Sequence, residues 1–180
     1  MRLITFDVLR CLDIAGARYI KPELMLRHKD DIKASDWILF PEYWQVNSLV
    51  YGLHKCIFPS IGSYHLGHDK VEMTRAFWSL CPEQVPQTLI LPATPAAVEQ
   101  VLDSFAFPCI AKEVRNAMGR GVHLIGSGAE FAAYWRANPV FYVQYALPIR
   151  RDLRVVYVGE QVIAAYWRHG VEGEYRNNVA

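Results

Sequence analysis

Short apolar runs alternate with polar stretches through the first third of the chain. Residues 3–8 read as a strand, 36–41 as a second strand closed by Pro41, and 55–58 as a third ahead of Pro59. Between the last two, residues 46–53 fit a helix. Strands that alternate with helices predict a parallel α/β unit, because parallel neighbours need a crossover connection.

The pattern then changes. Asp69 stands where a helix cap belongs, Glu72 follows at capping-box spacing, and the helix should run to Cys81, where Pro82 stops it. Pro82, Pro86 and Pro92 make residues 82–92 read as an extended connection. A domain boundary falls between residues 60 and 92, giving domains 1–66 and 67–180. Thr94-Pro95 opens another helix with Val98, Val101, Leu102 and Phe105 on one face. Strands are expected at 109–112, 122–125 and 140–144, and Ser127 with Glu130 forms a second capping box for a helix reaching Trp135. Gly159-Glu160 sits between two alternating runs, 152–158 and 161–166, which is a hairpin signal. The second part is α+β in character, so the expected fold class is α/β plus α+β.

Composition narrows the classes. At 180 residues with 52% hydrophobic and 21% charged content, the chain can build one good core or two small domains. A net charge of +1 supplies no basic surplus, so no nucleic-acid partner is expected. Asp7 and Arg10 interrupt the N-terminal apolar run, so no signal peptide, membrane span or membrane partner is expected, and the cytoplasm is the expected location. Cys11, Cys56, Cys81 and Cys109 lack metal-ligand spacing and are expected to be free, buried thiols. The six histidines make no HxxxH or HExxH arrangement.

Candidate chemistry gathers on basic residues. Lys112 ends an apolar strand, where a buried ammonium calls for an anionic partner such as phosphate; the alternative is a lysine that reaches solvent. Lys70 lies at a helix start, where anions are favoured; the alternative is a solvated surface lysine. Gly119-Arg120-Gly121 suits a loop whose amides approach phosphates, although it lacks the Walker pattern and a plain hairpin would also account for it. Arg154 and Arg168 fall on the two arms of the hairpin, with Arg176 beyond; such forked donors suit phosphates or carboxylates, and a solvated hairpin face is the alternative. Tyr142, Tyr145, Tyr157, Tyr166 and Trp167 are expected in the core.

Taken together and in order, these segments resemble the ATP-grasp superfamily, RimK-like branch, whose members add glutamate to a carboxylate terminus. The resemblance rests on Asp69-Lys70, the segment Val85-Pro86-Gln87-Thr88, the strand Phe107-Pro108-Cys109-Ile110-Ala111-Lys112, the loop Gly119-Arg120-Gly121, the hinge-like Val143-Gln144-Tyr145-Ala146-Leu147, Asp152-Leu153-Arg154, Arg168, and Arg176-Asn177-Asn178. It implies a small pre-ATP-grasp α/β domain followed by an ATP-grasp fold that is incomplete at its C-terminus.

The resemblance further implies a reaction joining a carboxylate to an amine with ATP, through an acyl phosphate. Lys70, Lys112, Gly119 and Gly121 would meet the phosphates. Gln144, Tyr145 and Ala146 would lie at the adenine, with the backbone of the last two reading its edge, and Asp152 near the ribose. Arg154 and Arg168, over the phosphates or the substrate, and Arg176 and Asn178, at the terminal phosphate and the acyl-phosphate intermediate, would be catalytic. Magnesium is expected for the family, but its ligands, an aspartate and a Glu-x-Asn motif, are not found before Ala180, so little or no ligase activity is expected of this chain alone. A small-molecule or peptide carboxylate and an amine are the implied partners. A second reading is a non-catalytic nucleotide-binding or regulatory module. A third is a structural domain whose exposed edges favour a homo-oligomer.

Overall fold

A computed structural model describes residues 1–116 and 120–170. The chain divides into two compact units, Met1–Gly67 and His68–Ala180.

The first unit holds a four-stranded parallel sheet of β1 (Leu3–Thr5), β2 (Ala17–Tyr19), β3 (Trp37–Leu39) and β4 (Cys56–Phe58), ordered β2-β1-β3-β4. The expected parallel α/β layout is present, with shorter strands and one more of them. β2 escapes a hydrophobic reading because Ala17-Arg18-Tyr19 is half-exposed at the sheet edge. The crossovers carry α1 (Lys29–Ala34) and α2 (Tyr43–Asn47), the latter continued by a π-helical turn over Ser48–Gly52. Their inward faces, Ile32, Val46 and Leu49, pack on Ile4, Ile38 and Ile57. α3 (Ile61–His68), which no periodicity announced, closes the unit.

In the second unit α4 (Lys70–Leu80) begins where Asp69 predicts. The Asp69 carboxylate accepts from the amides of Val71 at 2.9 Å and Glu72 at 3.3 Å. The reciprocal half of the capping box is not made; Glu72 bonds Arg75 at 3.1 Å instead. The proline-rich stretch is a correction to the expected extended connection. It contains a 3-10 turn, Pro82–Gln84, and then a sheet strand, β5 (Thr88–Pro92). Pro82 starts the turn, Pro86 precedes the strand and Pro92 ends it, so no proline interrupts its middle.

α5 (Pro95–Ser104), β6 (Cys109–Lys112), β7 (Val122–Ile125), α6 (Gly128–Ala137) and β8 (Val140–Tyr145) follow. Thr94 caps α5 through Ala97 N at 3.2 Å. Ser127 caps α6 through Glu130 N at 3.3 Å, while Glu130 reaches back to Gly126 N at 2.7 Å, one residue before the cap. Val101 and Phe105 are buried as expected, but Leu102 faces out and Ala97 takes its place.

β5, β8, β6 and β7 form an antiparallel sheet in that order. Residue alternation gives it two different faces. Cys109, Ala111, Phe141 and Val143 turn toward α5 and α6, where they pack with Val101, Phe131 and Tyr134. Lys112, Tyr142, Gln144 and Thr88 occupy the opposite face, which receives Thr74 of α4.

The hairpin β9 (Arg151–Val158) and β10 (Gln161–His169) turns at Gly159-Glu160, with Gly159 at φ 61°. Among the described residues it is a separate two-stranded sheet. Tyr157, Tyr166 and Trp167 are exposed on it, as is Tyr145 at the end of β8, so of the five aromatics expected in the core only Tyr142 is buried. All four cysteines are free; Cys11 and Cys109 are buried, Cys56 is exposed and Cys81 lies between, which corrects the expectation of four buried thiols. No helix among the described residues is long and apolar enough to cross a membrane.

Candidate functional site

Two lysines from different elements meet on the face of the second sheet that α5 and α6 leave open. Lys112, the last residue of β6, points there because Cys109 and Ala111 point the other way. Its Nζ donates to Gln144 Oε1 at 2.7 Å and lies 5.5 Å from the centre of the Tyr142 ring. Within the fold its partners are a neutral carboxamide and an aromatic face. Burial pushes the Lys112 pKa down, and the charge of Lys70 pushes it the same way.

Lys70 Nζ donates to the carbonyls of Glu113 and Asn116, each at 2.8 Å, and its backbone amide donates to the Val114 carbonyl at 3.1 Å. The start of α4 is thus sewn to the chain just after β6. Burial also lowers the Lys70 pKa, against the opposing pull of Glu113 and Asp69. Asp69 is itself tied to Arg115 at 3.1 Å. Burial favours its neutral form, but Arg115 and the cap amides outweigh it and the carboxyl stays below its usual range.

Glu113 organises the loop after Lys112. Its carboxylate accepts from Asn116 Nδ2 at 2.8 Å and contacts His123 Nε2 at 3.2 Å. Its amide donates to the Gly121 carbonyl at 2.8 Å. Gly121 has φ +68°, and a Cβ there would lie 2.8 Å from the Glu113 carboxyl carbon, so both backbone and space require glycine. Asn116 and His123 hold Glu113 below its usual pKa despite slight burial. Gly119 lies outside the described residues, as do Arg176 and Asn178.

A side-chain chain runs across the sheet. Gln144 Nε2 donates to Thr88 Oγ1 at 2.8 Å, and Thr88 Oγ1 donates to the Pro86 carbonyl at 2.7 Å. Tyr134 supports β6 from the other side, its hydroxyl donating to the Lys112 carbonyl at 2.7 Å while accepting from Tyr142 N at 3.2 Å. Burial pushes the Tyr134 phenol up to about 12. At the end of β8, Tyr145 N donates to the Gln87 carbonyl at 2.9 Å, so this amide is engaged within the fold. Ala146 follows directly after β8.

On the hairpin, Arg168 pairs with Asp152 through two bonds of 2.6 and 2.9 Å. Arg154 stands opposite Tyr166 on the same face, exposed. Asp152, Arg154 and Arg168 are therefore together, with the Asp152 carboxylate engaged by its neighbour.

Sequence reasoning assigns no site role to Thr74, Glu113, His123 or Tyr134, nor to Thr88, which stands in a segment that carries the resemblance, nor to Tyr142, expected only as core. Only Tyr142 had a local signal: it shares the alternation of Gln144. An open cleft of about 640 Å³ at the other end of β8, lined by Ala93 and Trp135–Pro139, contains none of the expected residues. Among the described residues no group of three or more His, Cys, Asp or Glu is placed to hold a metal ion.

The open face thus combines two lysines, Lys112 paired with a carboxamide, and a glycine-requiring loop, beside the end of β8. A family model for the RimK-like ATP-grasp domain matches residues 82–180, more than half of the chain. The chain belongs to the RimK-like ATP-grasp family.

Solved structures agree with this fold. A RimK domain ATP-grasp protein from Sphaerobacter thermophilus superposes with a TM-score of 0.64 at 14% identity, over 92% of this chain and 72% of that one. N5-carboxyaminoimidazole synthetase from Staphylococcus aureus, complexed with ADP, gives 0.65 at 13% identity, over 98% of this chain and 48% of that one. D-alanine–D-alanine ligase from Bacillus anthracis, complexed with ATP, gives 0.66 at 12% identity, over 97% and 68%. At such identities the likeness speaks for an ATP-grasp fold alone. No match was found among curated proteins.

Proposed function

We propose that the open face of the second sheet binds the phosphates of ATP and that the protein acts in an ATP-dependent carboxylate–amine ligation. The observation that carries this reading is the pairing of Lys112 with a carboxamide. A lysine neutralised by a carboxylate has little charge to offer a phosphate, whereas one held by Gln144 keeps its full charge. Lys70 is held by two carbonyls, with the Glu113 and Asp69 carboxylates near enough to favour its charged form. The ADP- and ATP-bound neighbours support the choice of nucleotide.

In this reading Lys70 and Lys112 hold the phosphate chain, and the Gly121 loop covers it. The base lies at the end of β8, beside Gln144, read by the Tyr145 carbonyl and the Ala146 amide. Arg154 and Arg168 with Asp152 serve the ribose and the transferring phosphoryl group. Arg176 and Asn178 follow as further phosphate contacts. A substrate carboxylate oxygen takes the terminal phosphoryl group as its bond to ADP breaks. An amine then attacks the acyl carbon, losing a proton, and phosphate leaves. The chain's contribution is charge neutralisation and positioning.

The test is the melting temperature with ATP or ADP, with and without magnesium, for the wild type and Lys112→Ala. A ligand that binds only the folded state raises it. Stabilisation of the wild type that Lys112→Ala abolishes is expected. No response at millimolar nucleotide would sink the reading for this chain.

A further inference from the structure

The hydrogen bonds around Lys112 have a direction that can be assigned atom by atom. Thr88 Oγ1 gives its proton to the Pro86 carbonyl at 2.7 Å, so it meets Gln144 only as an acceptor. Gln144 Nε2 fills that role at 2.8 Å, which leaves Oε1 to accept from Lys112 at 2.7 Å. The reverse amide orientation would set an NH2 group against the ammonium and an oxygen against the lone pairs of Thr88. The two side chains are a direct cross-strand pair, Thr88 opposite Gln144. The arrangement holds a lysine without cancelling its charge, something a carboxylate at position 144 could not do.

We propose that Thr88 is a positioning residue of the nucleotide site: through the Gln144 carboxamide it orients the Lys112 ammonium toward the anion. The proposal rests on the nucleotide reading above for its function, and on the three hydrogen bonds for its mechanism. Thr88 touches no phosphate. Without its acceptor the Gln144 amide keeps only its contacts with Tyr142 and Lys112 and is less firmly oriented, so the Lys112 stem samples more rotamers before an anion can be met.

Two readouts on wild type, Thr88→Val and Thr88→Ser test it. Valine keeps the branched shape that suits a strand and removes only the hydroxyl, and serine restores the hydroxyl. ATP affinity by calorimetry should fall about tenfold in Thr88→Val, the scale of one charge-assisted hydrogen bond, and recover in Thr88→Ser. The second readout needs no nucleotide. Lys112 modification by an amine-reactive ester, read by peptide mass spectrometry, should be several-fold faster in Thr88→Val, because Gln144 Oε1, the acceptor that favours the buried ammonium, is no longer held in place by Thr88. Equal or slower labelling in Thr88→Val overturns the proposal, as does failure of Thr88→Ser to restore the wild-type rate. Faster labelling alongside a wild type that ignores ATP would overturn the nucleotide reading and leave the Thr88–Gln144–Lys112 linkage standing. Should Thr88→Val not fold, Thr88→Ala removes the same acceptor at smaller volume and is judged by the same two measurements.

Discussion

The hydroxyls of Thr74 and Tyr142 lie 2.7 Å apart, and each residue is 2% exposed. Thr74 sits one helical turn after Lys70, and the Tyr142 ring lies 5.5 Å from the Lys112 ammonium. One buried hydrogen bond therefore ties the helix that brings the first lysine to the strand beside the second. Thr74→Val should leave the Tyr142 hydroxyl without this partner in a buried place, at a cost of about 1–3 kcal/mol. Urea unfolding reads it, and an unchanged midpoint would show that the bond adds nothing.

Both lysines should be needed for the nucleotide-induced rise in melting temperature. Lys70→Ala and Lys112→Ala are each expected to lose most of it, while Arg75→Ala, an exposed residue on the same helix, keeps it. Arg75→Ala behaving like the lysine variants would place the anion elsewhere.

The affinity for ATP should decline on the alkaline side before an ordinary lysine would titrate. Burial lowers the pKa of Lys112 and of Lys70 from the ordinary 10.5. Anion binding needs the charged form, so it is complete below the lowered values and lost as pH rises through them. The sign for stability is opposite. Folding disfavours these ammonium groups, so their unfavourable contribution is full below the folded values and disappears as pH rises toward 10.5. Calorimetric titration from about pH 7 to about pH 10 spans the window. In Lys112→Arg the charge persists throughout, so the decline should be shallower.

Gly121→Ala should destabilise by about 1–3 kcal/mol, because the residue has a left-handed φ of +68° and the new methyl would meet the Glu113 side chain at 2.8 Å. Adding Glu113→Ala removes the two carboxyl contacts at 2.8 Å but keeps the Cβ contact at 2.9 Å and the backbone part, so the double variant should be less than additive, with partial relief. Strict additivity in urea unfolding would rule out the contact.

Much of this protein was written locally. The Asp69 cap, the strand ending at Lys112, the Ser127 cap and the hairpin turn at Gly159-Glu160 each depend on a few neighbouring residues, and each forms where the sequence places it. The ordered series of such segments was also enough to point to the family. The sequence by itself thus determined the elements and which residue types stand at their ends. Only the tertiary structure decided what those ends meet. Sheet order β5-β8-β6-β7 sets Thr88 beside Gln144 across 56 residues of chain, and the Thr74–Tyr142 contact spans 68. No periodicity carries such pairings, because hydrophobic patterning says which face is buried and is silent on which strand lies alongside. For the same reason the sequence shows that a buried Lys112 needs a partner, while its partner within the fold, the Gln144 carboxamide, is chosen by register.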